Sequence, residues 1–226
     1  MKNLVIKFLC LSLGIVLLQA CSKEPTYDDT DDMVGSSKVV YFATVAIKGE
    51  RLMIIDQGST FTDPGVTAEL NGQSVPAPVS GTVNVNVPGV YVLEYTASNP
   101  EGFTASDWRT VVVMSTSAQV TNNDFSGTYV RDNGVDVFWT KTGRGVYTVD
   151  NPGGAGVGVG FLVTLVNYDG NKISIPQQLA FDPSISGLNT VSSASEVYNP
   201  SAVPVSVKYA FLAGGYGTQV RNFTKR

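Results

Sequence analysis

Between residues 129 and 147 the chain gathers rings and polar side chains of the kind that grip a sugar: Tyr129, Arg131, Asp136, Phe138, Trp139 and Tyr147. Aromatic rings stack on sugar faces, and Asp or Arg then fixes hydroxyls by hydrogen bonds. Strand alternation puts Val135, Val137 and Trp139 on one face and Asp136, Phe138 and Thr140 on the other. Each ring taken singly has a second reading, that of packing in a core. Hydrolytic chemistry finds less support. The chain has no histidine, which removes the commonest general base and every Ser-His or Cys-His nucleophile pair. A glycosidase needs two carboxylates roughly 5–10 Å apart across a cleft. The acids after residue 123 are sparse, and several sit beside Gly, Asn or Pro, where Asp serves turn geometry. No enzyme, cofactor or metal site is expected. The run Gly153-Gly154-Ala155-Gly156-Val157-Gly158-Val159-Gly160 has neither phosphate-loop spacing nor a following Lys-Ser/Thr. Its period-two pattern predicts a strand with one bare face.

A different chemistry attaches to Cys21. Lys2 and Lys7 precede an apolar stretch from Phe8 to Leu18, too short to span a bilayer comfortably, and Leu18-Gln19-Ala20-Cys21 closes it. This looks like a bacterial lipoprotein signal with its lipobox, in which cleavage before Cys21 frees a sulfur that takes the lipid. The resemblance implies a signal peptide over 1–20 and a protein held to a membrane by acyl chains, palmitate among them. Each buried CH₂ contributes about 0.8 kcal/mol, so two or more chains anchor stably. Cys10 leaves with the signal, so no disulfide is expected.

Beyond residue 20 there are 13 basic and 19 acidic residues, a balance of −6, and no segment is basic enough for nucleic acid. Residues 21–37 are acidic and polar, which predicts a flexible tether. The Ser22-Lys23-Glu24 start followed by acids resembles the export signal of Bacteroidota lipoproteins, which implies placement at the outer membrane, exposed on the cell surface.

From Lys38 onward short β-like runs alternate with Gly, Pro and Asn. They include Val39 to Val45, Arg51 to Ile55, Val83-Asn84-Val85-Asn86-Val87, Val90 to Ala97 and Thr104 to Met114. No window has a helical apolar period. Gly58-Ser59-Thr60-Phe61-Thr62-Asp63-Pro64-Gly65-Val66, Val87-Pro88-Gly89-Val90-Tyr91 and Arg109-Thr110-Val111-Val112-Val113 resemble the bacterial immunoglobulin-like repeat of pesticidal crystal proteins and many surface proteins. That resemblance implies an Ig-like sandwich with a spacer or adhesive role and no catalytic residues.

Residues 116–123, polar and rich in Thr and Asn, are the expected linker. After it, strands flank Lys141-Thr142-Gly143-Arg144, Asp169-Gly170 and Ala213-Gly214-Gly215, each a hairpin signal. The expected fold is all-β: an Ig-like β-sandwich over 38–115, then a second antiparallel β-sandwich or small β-barrel over 124–226. This layout resembles uncharacterised Bacteroidota surface lipoproteins, often associated with glycan uptake. The expected role is non-catalytic: Cys21 anchors the chain to the membrane, the Ig-like part is a spacer, and the C-terminal β domain binds a glycan or a partner in an outer-membrane uptake complex. A structural or adhesive protein without a small ligand is the alternative, and a carboxylate-based hydrolase a distant third.

Overall fold

The computed structural model describes residues 33–34, 37–156 and 158–226. The signal, Cys21 and most of the acidic tether lie outside the described residues. The described residues divide into two units, one ending at Tyr41 and the other spanning Phe42–Arg226. In the first, β1 (Met33–Val34) and β2 (Ser37–Lys38) pair antiparallel. The regular structure of the second unit is nearly all β, and no described helix is long and apolar enough to cross a membrane.

Seven strands build the Ig-like part. A three-stranded sheet has the order β3 (Thr44–Ile47), β5 (Val66–Leu70), β6 (Gln73–Ser74). A four-stranded sheet has the order β4 (Leu52–Asp56), β9 (Thr104–Met114), β8 (Gly89–Ser98), β7 (Val79–Ser80), with β4 parallel to β9. One interior cluster here is small: Ala43, Ala68 and Ala97, with Val45 and Leu70 against them. A charged clasp accompanies it. Arg109 is fully buried and donates from Nη1 to Asp63 at 2.9 Å, and the Tyr95 hydroxyl donates to both oxygens of Asp63 at 2.7 Å. The Gly65 amide donates to Asp63 Oδ1 at 3.0 Å, in a turn where Gly65 adopts φ +71°. The Asp63-Pro64-Gly65 motif is therefore structural: it neutralises an interior arginine.

The alternating segment 83–87 is not a strand. The Asn84 side chain accepts from the Asn86 amide at 3.0 Å and the Asn84 carbonyl from the Val87 amide at 3.1 Å, which folds the chain into a turn. Local bonding by Asn outweighs the β preference of the valines.

Residues 114–126 are not free chain. Ser117 caps the one-turn helix α1 (Ala118–Asn122), its Oγ accepting from the Val120 amide at 3.4 Å. Val120 is buried with Val112, Met114 and Val166, beside Leu52, Val90 and Tyr168. One turn is too short to announce itself by apolar periodicity. The Ser115 amide donates to the Tyr168 carbonyl and the Thr110 hydroxyl to the Gln177 carbonyl, both at 2.8 Å. Arg144 pairs with Asp56 and also donates to the Ser115 carbonyl. Gly145 (φ +64°) belongs here because a Cβ would lie 2.5 Å from the Asn167 carbonyl oxygen and from Met114.

The C-terminal sheet has nine strands: β10 (Gly127–Arg131), β11 (Asp136–Gly143), β12 (Val146–Asp150), β13 (Leu162–Asp169), β14 (Lys172–Ser174), β15 (Gln178–Asp182), β16 (Gly187–Asn199), β17 (Ser206–Leu212) and β18 (Val220–Lys225). Their spatial order is β14-β13-β12-β11-β10-β18-β17-β16-β15, each neighbouring pair antiparallel. The sheet curls into a barrel-like body whose ends meet. Ile175 and Ser193 exchange hydrogen bonds at 2.7 and 2.9 Å. The Gln178 side chain accepts from the Thr164 amide and donates to the Thr164 carbonyl, both at 2.8 Å, as a strand backbone would. The interior is filled, chiefly by Phe125, Tyr129, Trp139, Tyr147, Phe161, Tyr209, Phe211 and Phe223 with Val and Ile between them.

These interior phenols have a pH consequence. Burial holds the phenols of Tyr129, Tyr147, Tyr198 and Tyr209 above their ordinary pKa, and burial with the Asp63 hydrogen bond pushes Tyr95 up to about 12. A raised folded pKa leaves stability intact below the free phenol value of 10.0 and removes it as pH climbs beyond. Thermal unfolding followed by circular dichroism is expected to show a midpoint that is flat from about pH 7 to 9 and falls steeply above about pH 10. A flat profile to about pH 12 would refute the burial of these hydroxyls.

Candidate functional site

The six residues singled out from the sequence do not converge. Tyr129, Trp139 and Tyr147 sit in the core, so their rings do not face solvent. The Tyr129 and Trp139 ring centroids are 4.7 Å apart and those of Trp139 and Tyr147 6.3 Å. The Tyr129 hydroxyl donates to the Phe125 carbonyl at 2.8 Å and that of Tyr147 to the Asn123 carbonyl at 3.1 Å. For these three the core reading of the rings applies: a curled sheet must fill its inside, and inward positions of adjacent strands supply the largest side chains. Phe138, 41% exposed, lies on the outer face as alternation requires. Asp136 is half-buried: its Oδ2 pairs with Arg226 at 2.9 Å, and its Oδ1 is buried without a hydrogen-bond partner. Arg131 goes to a third place, a pocket at one end of the barrel.

That pocket follows from the topology. In an antiparallel sheet alternate connections fall at the same end, and the segments after β10, β12, β15 and β17 share the end opposite to Gly145 and Tyr168, where the Ig-like sheets join. Together they enclose about 290 Å³, lined by Arg131, Gly153, Ala155, Ser184, Ile185, Gly214, Gly215, Tyr216 and Arg221. Arg131 lies two residues beyond the interior Tyr129, and Arg221 two before the interior Phe223, so alternation turns both guanidiniums inward on paired strands.

The glycine run forms one wall, as a loop and not as the expected strand. Successive turns bend it: the Gly154 amide donates to the Asn151 carbonyl at 2.8 Å and the Gly158 amide to that of Ala155 at 3.0 Å. The Asn151 side chain accepts from the Ala155 amide at 3.0 Å, and the buried Tyr209 hydroxyl donates to the Pro152 carbonyl at 2.7 Å. Bonds from below thus replace a sheet ladder. Gly153 has no room for a side chain, since a Cβ would collide with the Tyr216 ring.

The arginines hold the other walls. Arg131 Nη1 donates to the carbonyls of Gly153 and Gly154 at 3.3 and 3.2 Å. Arg221 donates to the Phe211 carbonyl at 3.3 Å and to that of Tyr216. Tyr216 packs edge-on against Phe161 and Phe211 at 5.7 and 5.1 Å. Asp182 accepts from the Ser184 amide and hydroxyl at 2.9 and 2.6 Å and from Asn189 at 3.1 Å. Burial pushes the Asp182 carboxyl up, but these donors hold it below the usual range. Burial, and then the neighbouring Arg131 charge, lowers Arg221. The arrangement can accept oxygen-rich ligands: it offers donors beside one fixed ring.

Of the side chains that build this pocket, only Arg131 is among the six singled out from the sequence. The signal for Arg221 was its place on the inward face of a strand, two residues from Phe223. A second pocket, of about 350 Å³ in the Ig-like part, is lined by Asp63 and Tyr95, whose polar groups already bond each other. Among the described residues no three metal-ligating side chains come together.

Residues 45–113 match the family described as bacterial surface protein, Ig-like domain. No curated protein matches the chain. Among solved structures, a lipoprotein of Bacteroides thetaiotaomicron is similar at 22% identity and a TM-score of 0.37, over 82% of this chain and 100% of that one.

Proposed function

We propose that this is a non-catalytic, lipid-anchored protein of the bacterial outer surface, in which Cys21 carries the lipid, the Ig-like part is a spacer, and the barrel end binds a glycan. The observation that carries this reading is the pocket of Arg131, Tyr216 and Arg221, which opens at the barrel end away from the Ig-like joint. The surface description of the family matched by residues 45–113 supports display. A fixed ring beside hydrogen-bond donors suits a sugar. A partner in an uptake complex is the second reading, favoured by Leu179, Phe181 and Leu188, exposed on β15 and β16.

Anchoring is tested with Cys21→Ala in cells of the source bacterium. The variant is expected in soluble fractions, whereas the unaltered chain stays with membranes and is removed by protease added to intact cells. Membrane retention of Cys21→Ala would end the anchoring proposal. Binding is tested by affinity electrophoresis in polysaccharide gels, where retardation by at least one glycan is expected and none by any would count against sugar recognition.

A further inference from the structure

We infer that the barrel-end pocket takes an anionic oxygen group, a carboxylate or a sulfate, carried by a saccharide, with Arg131 and Arg221 as its donors and Tyr216 against the sugar ring. This rests on the glycan reading above and narrows it to acidic chains. Arg221 is 6% exposed, and its Nε has no hydrogen-bond partner; the buried Nε of Arg131 has none either. Nη1 of Arg131 and both terminal nitrogens of Arg221 are engaged by backbone carbonyls, which carry no full charge. Two like charges therefore share one recess.

The nearby carboxylates do not complete the neutralisation. Asp132 is ion-paired with Arg131 Nε at 3.3 Å from a side chain that is 53% exposed, and among the described residues no carboxylate pairs with Arg221. Asp182 is occupied by Ser184 and Asn189. Leaving a buried donor unmade is costly, and more so for a charged one. An incoming carboxylate or sulfate brings the two guanidiniums the full negative charge that carbonyls lack. A volume of about 290 Å³ lies at the small end of ligand sites, which suits one acidic sugar residue of a longer chain.

The test is calorimetric titration of the chain from residue 21, carrying Cys21→Ala, with dextran, dextran sulfate, oligogalacturonate and inorganic sulfate. Dextran sulfate or oligogalacturonate is expected to bind at least about tenfold more tightly than dextran. Arg131→Gln is expected to remove that preference, while Lys172→Gln, an equal charge change at the other end of the barrel, leaves it intact. In case Arg131→Gln fails to fold, NMR of the unaltered chain follows the two arginine Nε–H signals, which are expected to shift with the acidic polymer. Equal binding of dextran and dextran sulfate overturns the anion inference and keeps the glycan reading. Loss of binding in Lys172→Gln, still Nε–H signals, or binding of inorganic sulfate as tight as that of the polymers also overturns it. Failure of every polymer to bind overturns both.

Discussion

Asp63→Ala is expected to cost about 3–5 kcal/mol of folding stability, because it strands a charged guanidinium inside the Ig-like part. Arg109 is fully buried and Asp63 is the carboxylate that meets it, at 2.9 Å. Its other acceptors, the Met53 sulfur and the carbonyls of Lys48 and Gly65, carry no full charge. The same change removes both acceptors of the Tyr95 hydroxyl. Asp63→Asn keeps an acceptor for Tyr95 and is expected to lose less. Urea unfolding of the three proteins gives the comparison, and a loss below about 1 kcal/mol for Asp63→Ala would show the ion pair to be dispensable. The Tyr95 phenol, pushed up to about 12 by burial and by Asp63, is expected to titrate lower in the alanine variant.

Trp139→Ala is expected to cost a similar amount, about 3–5 kcal/mol, through the cavity it leaves between Tyr129 and Tyr147. It also separates two roles that the sequence left open for these rings. A core residue lowers the unfolding midpoint and leaves the affinity of the folded fraction unchanged; a ligand platform does the reverse. Thermal unfolding paired with glycan titration below the variant's midpoint decides between them.

How far the residues declared this structure varies with the physics of each segment. Alternation in 135–140 was legible, since Val137 and Trp139 are buried and Phe138 exposed. Asp169-Gly170 marked the β13–β14 hairpin because few dipeptides tolerate that turn. Asn84 and Asn86 misled, because a side chain that bonds its own backbone competes with a ladder. The glycine run misled for a related reason: its backbone is held from below by Asn151 and Tyr209, residues outside the run. The longest strand, β16, is poor in apolar residues and carries a bulge between Ala194 and Val197, so it has little period-two signal. The unbroken Val111-Val112-Val113-Met114 carried more than strand character. All four are buried, and alternation sends Val112 and Met114 to the joint with Val120 and Val166. The pocket was the least legible feature, because its arginines come from opposite ends of the C-terminal sequence and meet only when β10 pairs with β18.

Gln178 has one more effect. By mimicking a main chain toward Thr164, it occupies hydrogen-bonding groups that a curled sheet would otherwise present along its seam. Neither backbone group of Thr164 is then left to template the addition of a foreign strand at that point of the seam.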